Sequence, residues 1–211
     1  MIAKTLLQRI VPALALLTLG ACLSLIKDPD PITTYSLRHP VAEAPGVGQV
    51  DWALTVIRPN SSALLDSNRL AVRPQPNVLQ VYKGANWSEA MPDMVQTHIV
   101  EAFENSGRIK TVSRQNSGVP ADVALLIDIR RFESVYEDGA KIPNAVISLH
   151  AKLLEYPSNR VIAVQNFSTE VPAASKDVPA VVQAIEQGLN QTTSEMVSWA
   201  LANGHAKIKN K

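Results

Sequence analysis

The sequence predicts an α+β fold: a mainly antiparallel, mixed sheet with two long helices packed on one of its faces, in a single domain. Two periodicities carry this. Apolar residues recur at three-and-four spacing in two stretches, residues 91–105 and 178–203, and at alternate positions in a series of runs between residues 122 and 171. The chain has 211 residues, of which 46% are hydrophobic and 18% charged, with a formal net charge of +1. That length supports one domain with its own core. The charge balance leaves neither the basic footprint of a nucleic-acid binder nor an acidic solvation layer.

Taken in order, TTYSLR at 33–38 reads as a short first strand, followed by the Pro- and Gly-containing connector HPVAEAPGVG. DWALTVIRP at 51–59 is a second strand. The segment 65–87 is split by Pro74 and Pro76 into two strand-like halves, as in a hairpin at a sheet edge. From Met91 the period changes: Met94, Val95, Ile99, Ala102 and Phe103 line one face of a helix, Pro92 suits its opening turn, and Gly107 suits its end. IKTVSR at 109–114 is a short strand. Three longer runs, 122–136, 144–156 and 160–171, read as a meander joined by Asp138-Gly139 and by Pro157-Ser158-Asn159. In the middle run Ala145, Ile147, Leu149, Ala151 and Leu153 alternate with Ser148, His150 and Lys152, one dry face against one wet one. The last helix starts after Asp177, a good N-cap, with Pro179 in its first turn. It carries Val181, Val182, Ile185, Leu189, Met196 and Ala200 on one stripe and is expected to stop near Asn203 and Gly204. Dense burial is expected at Phe103, Leu149 and Ile185.

The N-terminus has its own logic. Lys4 and Arg9 precede the apolar run Ile10 to Gly20, which has the length of a signal-peptide core and is too short to span a bilayer. Leu19, Gly20 and Ala21 then place small side chains before Cys22, the single cysteine, in the pattern of a bacterial lipobox. Residues 1–21 therefore read as a lipoprotein signal peptide and Cys22 as the lipid attachment site, acylated by palmitate-type chains. At about 0.8 kcal/mol per buried CH₂ several chains make a durable anchor. Leu23 and Ser24 follow Cys22 without an aspartate, which favours the periplasmic side of the outer membrane. KDPDPIT completes a flexible tether over 22–32. The folded domain is expected over 33–204, and the basic tail 205–211 is given no role.

No catalytic constellation emerges. His39, His98, His150 and His205 are scattered without metal-ligand spacing, and His98 falls on the buried stripe of the first helix. Asp28 and Asp30 form a carboxylate pair only within the tether, and the three glycosylation sequons have no meaning behind a bacterial lipoprotein signal. Neither a nucleophile elbow nor a phosphate-cradling glycine loop occurs. The chain is expected to be no enzyme and to hold no metal or cofactor.

The run LDSNRLAVRPQPNVLQVYKGANWSEAMPDMVQTHIVEAFENSGRIKTV, with ADVALLIDIRRFESVYEDG after it, resembles the ABC-type transport auxiliary lipoprotein family, the PqiC-like proteins of Gram-negative envelopes. The matching features are Arg69 to Arg73, Tyr82, Trp87 with Pro92, Ser106-Gly107 and Ala121-Asp122. Val72 departs, standing where the family often has Tyr. The resemblance implies a non-catalytic partner of an ABC lipid transporter, docking the MCE-domain (mammalian cell entry) protein that reaches between inner and outer membranes, and it leaves a homo-oligomeric ring open. Tyr35, Tyr82 and Trp87 are the aromatic candidates for partner contact. The competing reading is a stand-alone outer-membrane lipoprotein that binds and regulates a cell-wall synthase. A lipid-sized hollow between helices and sheet is disfavoured by the one-sided alternation of the strands. The lipobox alone generates one test: Cys22→Ala should leave a protein that is unprocessed or soluble in the periplasm and no longer fractionates with outer membranes. A mutant still cleaved before residue 22 and still floating with membranes would rule out the lipid anchor.

Overall fold

Among the described residues eight strands and two helices follow in the order β1 (Thr33–Tyr35), β2 (Val50–Val56), β3 (Arg69–Gln75), β4 (Val78–Trp87), α1 (Met91–Ser106), β5 (Ile109–Arg114), β6 (Val123–Val135), β7 (Asn144–Glu155), β8 (Arg160–Pro172) and α2 (Val178–Ile208). The structure, a computed structural model, describes residues 31–38, 48–137 and 139–208, with side chains to residue 204. The residues from Ile32 onward form one compact unit. The expected signal peptide at 1–21, Cys22, most of the expected tether, His39, Asp138 and residues 209–211 lie outside the described residues.

The sheet is built on β6. Along one edge β6 pairs antiparallel with β7 from Val123 to Val135, and β7 pairs with β8 in the same way, giving the expected meander. The other edge of β6 is shared. Its start pairs parallel with β2, Leu54 opposite Val123, and its end pairs parallel with β3, Val72 opposite Ser134. Between them the chain leaving β2 stays hydrogen-bonded to β6 through Ile57, Asn60 and Ile129. From β2 the sheet continues to β5, and from β3 through the predicted hairpin to β4 and β1. The sheet is thus mixed: its long ladders are antiparallel, and the short pairings at the fork are parallel.

Both helices lie on one face, as the stripes predict. α2 packs on β6, β7 and β8, α1 packs on β5, and the two helices touch. Ile147, Leu149, Leu125, Ile127, Phe167, Ile185 and Phe103 fill the layer between them and are essentially inaccessible. Phe167 meets Trp199 of α2 edge-on at 5.5 Å. α1 ends as its sequence indicates: Gly107 takes the left-handed φ of 60° and donates its N–H to the Glu104 carbonyl. At the start of α2 the Asp177 carbonyl accepts the N–H groups of Ala180 and Val181.

The expected end of α2 at Asn203-Gly204 is corrected: the helix runs on to Ile208. Gly204 is a point of close approach, where a Cβ would lie 2.5 Å from Cζ2 of the buried Trp52 ring on β2. Alanine in an open helix would gain about 1 kcal/mol over glycine. Here overpacking, typically about 1–3 kcal/mol, opposes that gain. Gly204→Ala should lower unfolding stability by up to about 2 kcal/mol in urea denaturation, and a gain of about 1 kcal/mol instead would remove the Trp52 ring from the α2 surface.

Candidate functional site

Three of the residues that carry the family resemblance, Arg73, Tyr82 and Trp87, converge on one short piece of β6. Trp87, 2% exposed, sets its ring against Phe132 at 6.1 Å, edge to face. Tyr82 Oη lies 2.9 Å from Ser134 Oγ, and burial pushes the phenol up to about 12. Arg73 Nε donates to Glu133 Oε1 at 2.8 Å, and Arg131 Nε donates to the same oxygen at 3.1 Å. Glu133 is 1% exposed, a carboxylate that its two guanidinium partners keep compensated. Asp122 at the other end of the segment accepts the Ala53 N–H through Oδ2, fixing β2 to the start of β6. Ser106 donates to the Phe103 carbonyl inside the α1 end. Arg73, Tyr82, Trp87, Ser106 and Asp122 therefore each have a structural partner.

Of the aromatic candidates, Trp87 is a core side chain, whereas Tyr35 and Tyr82 are half-buried and pack against that core. Tyr35 sits opposite Trp87 where β1 joins β4, and its carbonyl accepts the Ser88 N–H. The chain then crosses to α2. There Arg38 Nε donates to Glu186 Oε1 at 2.7 Å and its backbone N–H reaches Oε2, so residues 33–38 strap the domain from sheet edge to helix. Arg38 is raised above its ordinary range, first by that hydrogen bond. A shallow crevice of about 80 Å³ lies beneath the strap, lined by Leu37, Arg38, Thr97, His98 and Glu101.

His98 occupies the buried α1 stripe at 3% exposure. Burial lowers its pKa to about 4, against smaller opposing effects of Asn190, Glu101 and Glu186. Its Nε2 and the Asn190 Oδ1 both lack a hydrogen-bond partner among the described residues. His150 instead sits on the other side of the sheet, 2.6 Å from Asn166 Oδ1. Among the described residues no group of three His, Cys, Asp or Glu could hold a metal ion, and no helix is long and apolar enough to cross a membrane.

The face of the sheet turned away from the helices is ordered in rows. At the start of β6 these are mainly apolar: Ala124, Leu154 and Val161, then Leu126 and Val164 with Lys152 between them. Polar rows follow, with Asp128, His150 and Asn166, then Arg131, Ser148 and Ser168. At the far end a cleft of about 560 Å³ is lined by Arg73, Pro76, Arg131, Val135, Tyr136 and Glu137. A groove of about 370 Å³ borders the apolar end, between Thr55, Ile57, the loop from Gln115 to Ala121, and Tyr156. Sequence reading missed both Glu133 and the apolar rows. The signal for Glu133 was its place between Phe132 and Ser134, which turns it to the face opposite Phe132.

A family model described as ABC-type transport auxiliary lipoprotein component matches residues 35–197. The crystal structure of protein XCC0632 from Xanthomonas campestris superimposes with a TM-score of 0.79 at 42% identity, covering 84% of this chain and 99% of that one. A protein of Chlamydia trachomatis, CT253, shares the fold at a TM-score of 0.50 and 8% identity, over 75% of this chain and 100% of that one. A curated protein of Bradyrhizobium diazoefficiens is 25% identical over 171 residues, 80% of this chain, which spans only 44% of its length.

The buried histidine makes stability depend on pH with a defined sign. The unfolded chain takes up a proton near pH 6.5 and the folded one only near 4, so stability is whole above 6.5 and falls as the pH drops through that window. Between pH 7 and 4.5 the contribution lost is about 2–3 kcal/mol. Urea unfolding should show it, and His98→Gln should flatten the profile by that amount. Equal slopes for both proteins would place His98 in solvent.

Proposed function

We propose, from the premise that this chain belongs to the ABC-type transport auxiliary lipoprotein family, that it is a lipid-anchored periplasmic partner of an ABC transporter that moves lipids between the inner and outer membranes. It acts by binding, docking the transporter's MCE-domain protein, and not by turnover. The observation that carries this reading is the family match over residues 35–197, nearly the whole of the folded domain.

The chemistry of the domain supports it. The titratable groups with the largest environmental effects are explained by packing: His98 by burial, Tyr82 by burial against Ser134, Arg58 by its hydrogen bonds to Asp93 and Asp66. None of the three forms a nucleophile and base pair. The layer between helices and sheet is filled by aromatic and branched side chains, which favours a docking role over carriage of a lipid inside the domain. Acylation at Cys22 would confine the domain to the inner leaflet of the outer membrane, and a tether ending at the strap would hold it at high local concentration before an arriving partner.

Affinity capture of the full-length lipoprotein from detergent-solubilised envelopes, with mass spectrometry of what accompanies it, tests the reading. The MCE-domain protein, with its permease and ATPase, should be recovered. Recovery should fall with the non-acylated Cys22→Ala protein expressed at equal level. A cell-wall synthase in place of transporter components would overturn the proposal.

A further inference from the structure

Residues 33–38 hold to the rest of the domain at few points. β1 adds three pairs to the sheet edge, Thr33 to Tyr35 opposite Ala85 to Trp87, and the Tyr35 carbonyl accepts one more bond from the Ser88 N–H. Tyr35 and Leu37 pack on the core from half-buried positions. Beyond them Arg38, whose side chain is 77% exposed, makes the fastening to α2: Nε and Nη2 both reach Glu186 Oε1 at 2.7 Å, and the backbone N–H reaches Oε2 at 3.4 Å. A segment attached so sparsely opens at a lower free energy than the long ladders of β6, β7 and β8.

What this strap covers is polar. Leu37 and Arg38 line one side of the crevice beneath it, and Thr97, His98 and Glu101 of α1 line another. His98 Nε2 and the Oδ1 of Asn190, which meets His98 from α2, are both buried without a hydrogen-bond partner among the described residues. Keeping such atoms dry is costly, and an imidazolium in the same place would be costlier. The charged groups that face His98 or line its crevice are Glu101 from α1, Glu186 from α2, Arg38 from the strap and Glu89 from the loop before α1. Arg114 of β5 donates to Thr97 Oγ1 at the rim. Glu186 already holds Arg38. A proton on His98 puts a second cation beside that pair, where it draws on the same carboxylate and repels the guanidinium.

We propose that residues 33–38 form an acid-released strap: protonation of His98 admits water to the crevice by parting Arg38 from Glu186 and β1 from β4, while the sheet and both helices stay folded. Of the elements around His98 the strap is the one that can leave without dismantling the core, because α1 and α2 bury their apolar stripes against the sheet. Its release frees the edge of β4 from Ala85 to Trp87, a row of backbone groups open to pairing with another strand. The sign follows from burial. Under the closed strap His98 takes a proton near pH 4, and once open to water near its ordinary 6.5. Opening is therefore favoured as the pH falls from 6.5 towards 4, by about twentyfold between pH 7 and pH 5. Global unfolding gains by the same factor, and the two are separated by the surface each exposes.

Hydrogen exchange read by mass spectrometry on the full-length protein in detergent tests the proposal. Peptides covering residues 33–38 should lose about twentyfold in protection from pH 7 to pH 5, after correction for the intrinsic exchange rate. Low urea should leave strap protection unchanged, because little surface is exposed, whereas the protection of β6 and β7 should fall with urea. His98→Gln should abolish the acid response of the strap; where that variant does not fold, His98→Phe replaces it, since neither side chain titrates. Arg38→Ala should lower strap protection at pH 7 and leave β6 and β7 protected. Strap peptides whose protection is independent of pH in the wild type, that share the urea dependence of β6 and β7, or that are unaffected by Arg38→Ala overturn the proposal. So does an acid response that survives in a folded His98 variant, which would assign the release to the carboxylates of Glu89, Glu101 or Glu186.

Discussion

A carboxylate almost out of reach of water decides how this sheet is joined. Glu133 sits on β6 where the β3–β4–β1 branch meets the β6–β7–β8 meander, and its two hydrogen-bond donors come from the two sides of that join, Arg73 from β3 and Arg131 from β6 itself. A lone buried carboxylate costs several kcal/mol, so the pair of guanidinium groups does not simply add stability. It makes one arrangement of β3 against β6 acceptable and penalises the others. Only two residue pairs, Val72 with Ser134 and Arg73 with Val135, register those strands. With so short a ladder, the ionic contact and the neighbouring Tyr82 and Trp87 contacts must fix what backbone hydrogen bonds leave loose.

The opposite face of the same junction carries the aromatic contacts, and beyond it the Arg38–Glu186 pair carries the chain across to α2. Segments distant in sequence, β1 with residues 36–38, β4 and α2, are thereby tied together. Arg38 is well exposed and such pairs contribute little on their own. Its role is geometric: with β1 only three residues long, residues 36–38 need a second attachment to stay against α2.

The helices and the meander were legible in the sequence because each has a long, regular period. Leu149 and Phe103 could be placed in the core from spacing alone, and both are fully buried. The fork was not legible. β2 has a buried run, Leu54 to Val56, on both faces, and such a run carries no alternation to say which partner it takes or in which direction. The end of α2 was misjudged because glycine has two uses in a helix, and Gly204 serves close packing against Trp52 and not termination. The apolar rows escaped for a similar reason. Val161 and Val164 are three residues apart, and strict alternation sends such a pair to opposite faces unless a bulge intervenes, which nothing in the composition of the strand announces.

A docking interface on this domain need not be strong to be useful. Standard protein–protein interfaces bury about 800 Å² on each partner, and smaller apolar patches alone give transient complexes. Tethering changes the requirement. A domain held at a membrane by a short linker meets a partner spanning the same gap at an effective concentration in the millimolar range, which turns a weak site into one that is mostly occupied. Under such tethering a docking surface can remain modest in affinity, because proximity supplies the rest.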